Sequence, residues 1–290
     1  MPTTIHVLGT GTPTPTAANY GTSFAIERSD GSVVMIDCEP AATWKLAKAG
    51  INPAAVSHLF LTHHHFDHNV DYPCLILTRW DQDTASRPLK VFGPEPTARM
   101  TEQLIGQDGA FAPDYRARIG WVSSQRTFEN RGGTLPRRPP LVDATDIVAD
   151  FVYDGADWSI RAAHAEHAQP FLDCLAYRFS TDDGDVVFSG DTEPCESVIK
   201  LAEGADVLFC MAWETEPVIQ ANGETVGACS SGGAGKIASW AGVKRLVLVH
   251  TGPRITEARD EAVADAAQHF DGEITFAEEI STIAVNTLNA

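Results

Sequence analysis

The sequence predicts an α/β layered fold, and three observations predict it. Short apolar strand patterns alternate with helical patterns in both halves of the chain. Several of those strands stop at a Gly, Asp or His where a loop begins. No apolar run approaches the ~20 residues that a membrane helix needs. At 290 residues, 43% hydrophobic and 21% charged, the composition is that of a globular chain able to bury a sizeable core, read as one domain over residues 1–290.

Taken in order, residues 4–8 form a strand that opens into the turn Gly9-Thr10-Gly11-Thr12-Pro13. Residues 23–26 and 32–36 are strands joined across Asp30-Gly31, a hairpin signal. Residues 41–49 read as a helix stopped by Gly50, and 56–61 as an apolar strand leading into Thr62. A helix over 72–80, a strand over 89–92 and a helix over 96–105 follow. Residues 109–142 read as an irregular excursion carrying six arginines against two acids, a local balance of +4. It is either a solvated loop or an arm over a site for an anionic substrate or partner chain. The second half offers strands at 149–153, 158–163, 174–180 and 186–189, a helix at 196–202 and a strand at 207–211. A helix at 233–241, a strand at 246–249, a helix at 260–270 and a closing strand at 274–276 complete it.

The 21 basic and 39 acidic residues leave a formal charge of −18, which opposes long polyanions. The expected partner is therefore a small-molecule substrate, with nucleic acid disfavoured, no membrane contact and a homodimer left open. The six cysteines are scattered and read as reduced thiols, and the opening residues lack a basic, then apolar, export pattern, so a cytoplasmic protein is expected.

The strongest chemical signal is His63-x-His65-x-Asp67-His68, directly after an apolar strand. In extended backbone, residues two apart point the same way, so His63 and His65 can grip one ion while Asp67 and His68 turn toward a second. Imidazole suits zinc and similar metals, and carboxylate suits a second or bridging position. Three more candidates, His167, Asp191 and His250, each sit where a strand gives way to a loop. His164 competes with His167, whereas His64 points away from its neighbours, and His6, His58 and His269 read as structural.

These residues resemble the metallo-β-lactamase superfamily, in the branch that holds ribonuclease Z and arylsulfatase-like hydrolases. The resemblance rests on residues 8–13, Ile36-Asp37-Cys38-Glu39, the 63–68 motif, His167, Ser189-Gly190-Asp191-Thr192 and Val249-His250-Thr251. It implies a four-layer αβ/βα sandwich with metals along one rim. It further implies that His63, His65 and His167 hold one ion, that Asp67, His68 and His250 hold the other, that Asp191 bridges, and that Asp37 orients a ligand or the water. Two divalent ions, zinc first with Mn2+ or Fe2+ as alternatives, would bring a shared water to a pKa near ~7. Asp67 could take its proton.

The chain also departs from that pattern. Ribonuclease Z-like enzymes place a proton-donating histidine where this chain has Cys229, and a His-Glu pair where it has Cys210-Met211. The hairpin after Tyr177 is also too short for a long RNA-gripping arm. Trp213 then reads as an apolar wall, or as core packing, and Ser230 and Ser231 as hydrogen-bond donors. The reading is a dinuclear metal-dependent hydrolase of an ester, lactone, aryl sulfate, phosphoester or activated chloroaromatic. The alternatives are a tRNA 3′-end endonuclease and a non-hydrolytic metal-binding or redox protein.

Overall fold

A computed structural model describes residues 3–285. The first sheet holds β1 (Thr4–Thr10), β2 (Thr22–Glu27), β3 (Val33–Ile36), β4 (Val56–Phe60), β5 (Leu89–Gly93), β6 (Val142–Asp146) and β14 (Ser281–Ala284), in the order β14-β1-β2-β3-β4-β5-β6. The second holds β7 (Val152–Asp154), β8 (Trp158–His164), β9 (Leu175–Thr181), β10 (Gly184–Phe188), β11 (Val207–Met211), β12 (Arg245–Val249) and β13 (Glu273–Phe276), in the order β13-β12-β11-β10-β9-β8-β7. In each sheet four strands run parallel, β3 to β6 and β10 to β13, and the rest pair antiparallel.

Three apolar clusters account for the layers. Phe24, Phe60 and Val34 of the first sheet meet Tyr177, Phe179, Phe188 and Phe209 of the second, so both inner faces are buried against each other. Leu8, Met35 and Leu59 pack outward under α1 (Ala42–Lys48) and α3 (Tyr72–Gln82). Leu208, Cys210 and Leu248 pack under α7 (Glu196–Ala202) and α9 (Ser231–Ala241). The result is helices, sheet, sheet, helices: an αβ/βα sandwich in which strands buried on both faces carry the near-continuous apolar runs seen at residues 207–211 and 245–249.

The parallel strands set the position of the functional residues. β3, β4, β10 and β12 all point their C-terminal ends at one rim, and the chain turns there at Asp37, His63, Asp191 and His250. Cross-links hold the two sheets in register at that rim: Leu175 N–H donates to Thr62 C=O (2.9 Å), Tyr177 Oη–H to Leu61 C=O (2.6 Å) and Thr251 N–H to Thr10 C=O (2.9 Å).

The excursion at 109–142 is not irregular. It forms α5 (Ala112–Gly120) and α6 (Val122–Asn130), then β6. Ala112 and Tyr115 pack on Trp80 of α3 with Leu77 and Ile119 around them. The arginines fasten the arm down: Arg118, Arg131 and Arg137 all reach the Asp81 carboxylate, at 3.6, 3.0 and 3.5 Å. The Arg137 guanidinium also lies 3.8 Å from the Trp80 ring centroid and 4.7 Å from that of Phe128. Three of the six arginines are therefore spent on one carboxylate rather than left free in a solvated loop or turned toward an anion. The strand expected at 149–153 is the shorter β7, preceded by β6, whose polar Asp143, Thr145 and Asp146 mark it as an exposed edge. Among the described residues, no helix is long and apolar enough to cross a membrane.

Candidate metal centre

The strand β4 ends at Phe60, and Thr62-His63-His64-His65 carries the chain across the rim into the short helix α2 (Phe66–Asn69), which contains Asp67 and His68. Thr62 orders the first of these. Its N–H and Oγ–H donate to Asp37 Oδ1 (2.7 Å) and Oδ2 (2.8 Å), and its hydroxyl oxygen accepts from His63 Nδ1 at 3.0 Å. His63 Nε2 is thereby turned inward, 2.9 Å from His65 Nδ1, which in turn lies 3.1 Å from His167 Nε2. Asp37 Oδ2 also accepts from His68 Nδ1 at 2.8 Å, turning His68 Nε2 toward Asp191 Oδ1, 3.4 Å away. Asp37 and His250 both hold left-handed backbone, φ 60° and 50°, a conformation non-glycine residues seldom adopt, so each side chain is aimed at some conformational cost.

Donor atoms converge in two groups: His63, His65, His167 and Asp191 in one, Asp67, His68 and His250 in the other. The Asp191 carboxylate joins them. Its Oδ2 lies 3.9 Å from His63 Nε2, 3.7 Å from His167 Nε2 and 3.1 Å from His250 Nε2. His250 Nε2 lies 3.4 Å from Asp67 Oδ2, and His68 Nε2 lies 3.6 Å from it. A tetrahedral ion with donors at about 2.0–2.2 Å needs donor separations of roughly 3.3–3.6 Å, the middle of this range. Both carboxylate oxygens of Asp67, His68 Nε2 and both ring nitrogens of His250 are buried without a hydrogen-bonding partner. Buried polar atoms left that way are costly unless something pairs them, and a cation in each group would do so.

Without cations the charges lean on one another. Burial holds His63 well below its ordinary value. Burial also opposes the charging of His68 and His250, but Asp191 carries both upward, His250 to about 9. Asp191 is buried too, yet the His250 and His68 charges hold its carboxyl well below the usual range.

The other sequence candidates fall outside the two groups. His64 faces Pro94 C=O (2.9 Å) and Thr97 Oγ1 (3.0 Å). His164, at the end of β8, lines an open groove with Arg161 and Lys200. Ser230 is committed elsewhere: its hydroxyl caps α9 by accepting from Gly233 N–H (2.8 Å) and donates to Glu216 Oε2 (2.5 Å). The Ser231 hydroxyl donates to Asp265 (2.7 Å). Trp213 packs against the cluster that holds Cys229, and its indole Nε1–H donates to Glu224 Oε2 at 3.3 Å. Cys210, Met211 and Cys229 lie in that apolar cluster; Cys210 and burial together push the Cys229 thiol up. Sequence reasoning missed Thr62, whose neighbour His63 was the available signal, and it missed the carbonyl of Gly227, which accepts from His167 Nδ1 at 2.5 Å.

A model of the β-lactamase superfamily domain matches residues 33–251. A protein named Ribonuclease Z from Mycobacterium bovis (strain BCG / Pasteur 1173P2) is 30% identical, over 97% of this chain and 98% of that relative. The metallo-β-lactamase fold protein YhfI from Bacillus subtilis superposes with a TM-score of 0.72 at 19% identity, covering 98% of this chain and 99% of that one. The short form of human tRNase Z does so with a TM-score of 0.68 at 20% identity, again over 98% and 99%. The relatives named for an RNA-cleaving activity overturn the expectation of a small-molecule substrate with nucleic acid disfavoured. The physical reason is that −18 belongs to the whole molecule. Glu27, Asp157, Asp182 and Asp183 line a cavity of about 520 Å3 with the start of β1 and the β9–β10 turn, at the rim opposite the ligand groups.

Proposed function

This chain belongs to the β-lactamase superfamily and is a metal-dependent hydrolase of that fold; on that premise we propose that it cleaves a phosphodiester bond of RNA, the 3′ extension of a tRNA being the substrate class that its relatives' name indicates. The observation that carries the reading is the Asp191 carboxylate, which faces both ligand groups at once. The donor set, five imidazoles and two carboxylates, suits zinc. When bound, two such ions supply a water deprotonated near neutral pH and positive charge for the phosphate oxygens.

The chain's own residues do the rest. His63, His65 and His167 present Nδ1 or Nε2 to one side of Asp191, and His68 and His250 present Nε2 to the other. Asp37 keeps the proton of His68 on Nδ1 and so leaves Nε2 free as a donor of electrons. Asp67, whose oxygens have no hydrogen-bonding partner, is the group placed to take a proton from the attacking water. Two exposed aromatic rings are near neighbours of ligands in the chain: Phe66, between His65 and Asp67, and Phe171, four residues after His167 and 88% exposed. Unpaired bases stack on such rings. The ribose oxygen that leaves is basic, and Cys210 and Cys229 lie buried in an apolar cluster, outside both ligand groups. Its departure therefore depends on charge stabilisation at the ligand groups.

The test is to incubate the zinc-loaded protein with a 3′-extended tRNA precursor and with an unstructured RNA of equal length. Metal-dependent endonucleolytic cleavage of the precursor, abolished in Asp191→Ala, is the expected result. Intact RNA in the presence of two bound equivalents of metal would overturn the reading.

A further inference from the structure

His167 differs from the other ligands in its support. His63, His65, Asp67 and His68 stand within six consecutive residues that run into α2, and His250 directly follows β12, whereas His167 stands three residues past β8, in the loop between β8 and β9, with its side chain 17% exposed. Three loops meet there. Within the first, His167 N–H donates to Gln169 Oε1, and Gln169 Nε2 donates to Ala165 C=O, both at 2.8 Å. The second, which carries Asp191, is laced to it: Glu166 N–H donates to Thr192 Oγ1 (3.1 Å) and Glu193 N–H to Glu166 C=O (2.8 Å).

The third loop, residues 223–229, leaves α8 (Glu216–Asn222) at Gly223 and runs from Trp213 to His167. Glu224 Oε2 accepts from Trp213 Nε1 and from Asn222 Nδ2, both at 3.3 Å, so the strap is pinned at its start. Its other end is pinned at Gly227. The Gly227 N–H donates to Glu193 Oε2 at 2.7 Å, and the Gly227 C=O accepts from His167 Nδ1 at 2.5 Å. The position requires glycine on two counts: φ is +72°, and a Cβ there would stand 2.1 Å from the His167 carbonyl oxygen.

We propose that Glu193 and Gly227 are positioning residues for His167: the Glu193 carboxylate holds the Gly227 peptide, and that peptide's carbonyl keeps the His167 proton on Nδ1, leaving Nε2 as the atom that faces His65 and Asp191. The relay passes from the loop of the shared carboxylate, through a peptide of the strap, to a ligand that stands in a loop three residues past the end of β8. An imidazole whose second nitrogen donates to a fixed carbonyl is held in one tautomer and one ring orientation, and loss of such a partner costs about 10- to 100-fold in metal affinity. The inference rests on the reading of His167 as a ligand.

The experiment uses the full chain, stripped of metal, and the variants Glu193→Ala and Glu193→Gln. Glutamine keeps an oxygen that can accept from Gly227 N–H, and alanine does not. Zn2+ is titrated against a chromophoric chelator, and long-range proton–nitrogen NMR reads the His167 tautomer in the metal-free protein. In Glu193→Ala one of two equivalents weakens about 10- to 100-fold while the other holds, the Nδ1–H tautomer loses its dominance, and the thermal midpoint of the metal-free protein stays within about 2 °C. Glu193→Gln restores affinity to within about threefold. Unchanged affinity in Glu193→Ala, equal weakening of both equivalents, or a glutamine variant as weak as the alanine one would overturn the relay. Wild-type protein that takes up no metal would instead refute the reading of the ligand groups.

Discussion

At the scale of single residues, the centre depends on carboxylates that serve more than one partner. Asp37 accepts three hydrogen bonds, two from Thr62 and one from His68, so Asp37→Ala frees the His68 ring and costs about 10- to 100-fold in affinity for the ion of the second group, read by zinc titration. His250 is carried to about 9 in the metal-free protein, above its ordinary 6.5. The sign follows: its charged form stabilises the metal-free fold fully below about pH 6.5, and that contribution is lost as pH rises through about 9. Because a ligating imidazole must be neutral, metal uptake by the apoprotein should release protons, and the apparent affinity should climb between about pH 6.5 and 9; calorimetry in buffers of different ionisation heat measures both. An affinity flat across that window would contradict the coupling. Phe171→Ala should weaken RNA binding by about 1–3 kcal/mol, one stacked base, while leaving the zinc stoichiometry at its wild-type value. The ligand candidates were legible because four of the seven stand within six consecutive residues after an apolar strand, and the others follow strand ends by one to three residues. Thr62, Glu193 and Gly227 were not, because a hydroxyl, a loop carboxylate and a peptide carbonyl acquire their roles only through space.

At the scale of elements, most strands and helices were visible in hydrophobic periodicity, and the misses share a cause. α8 lies on a polar surface segment, and β6 is an exposed edge strand, so neither shows the apolar run or clean alternation that marks a buried element. α5 and α6 were hidden by glycines, prolines and arginines whose partners lie about 30 to 60 residues away, on α3. The arm is held by that distant contact. Arg137→Ala removes a guanidinium sandwiched between Trp80 and Phe128 that also donates to the carbonyls of Trp80 (3.0 Å) and Asp81 (3.1 Å). The loss should come to about 2 kcal/mol or more, read as faster amide exchange across residues 112–130. Lysine at that position should not restore protection, because an ammonium cannot reproduce the planar stack. Protection equal to wild type would show that apolar packing alone holds the arm.

At the scale of the whole molecule, the fold works by bringing the C-terminal ends of parallel strands from two sheets to one rim, so that residues far apart in sequence, such as His63 and His250, share a centre. The layered α/β class was legible because both halves alternate strand and helix. The substrate was not, because total charge says nothing about which rim carries the acids, and the relatives supplied the correction. The central claim is that these seven residues form one centre for two ions joined by Asp191. Its most direct test is elemental analysis of the protein after reconstitution with excess zinc and desalting, run beside Asp191→Ala. The account predicts two equivalents per chain in the wild type and loss of both in the variant. One equivalent or none in the wild type, or two retained without Asp191, would contradict it.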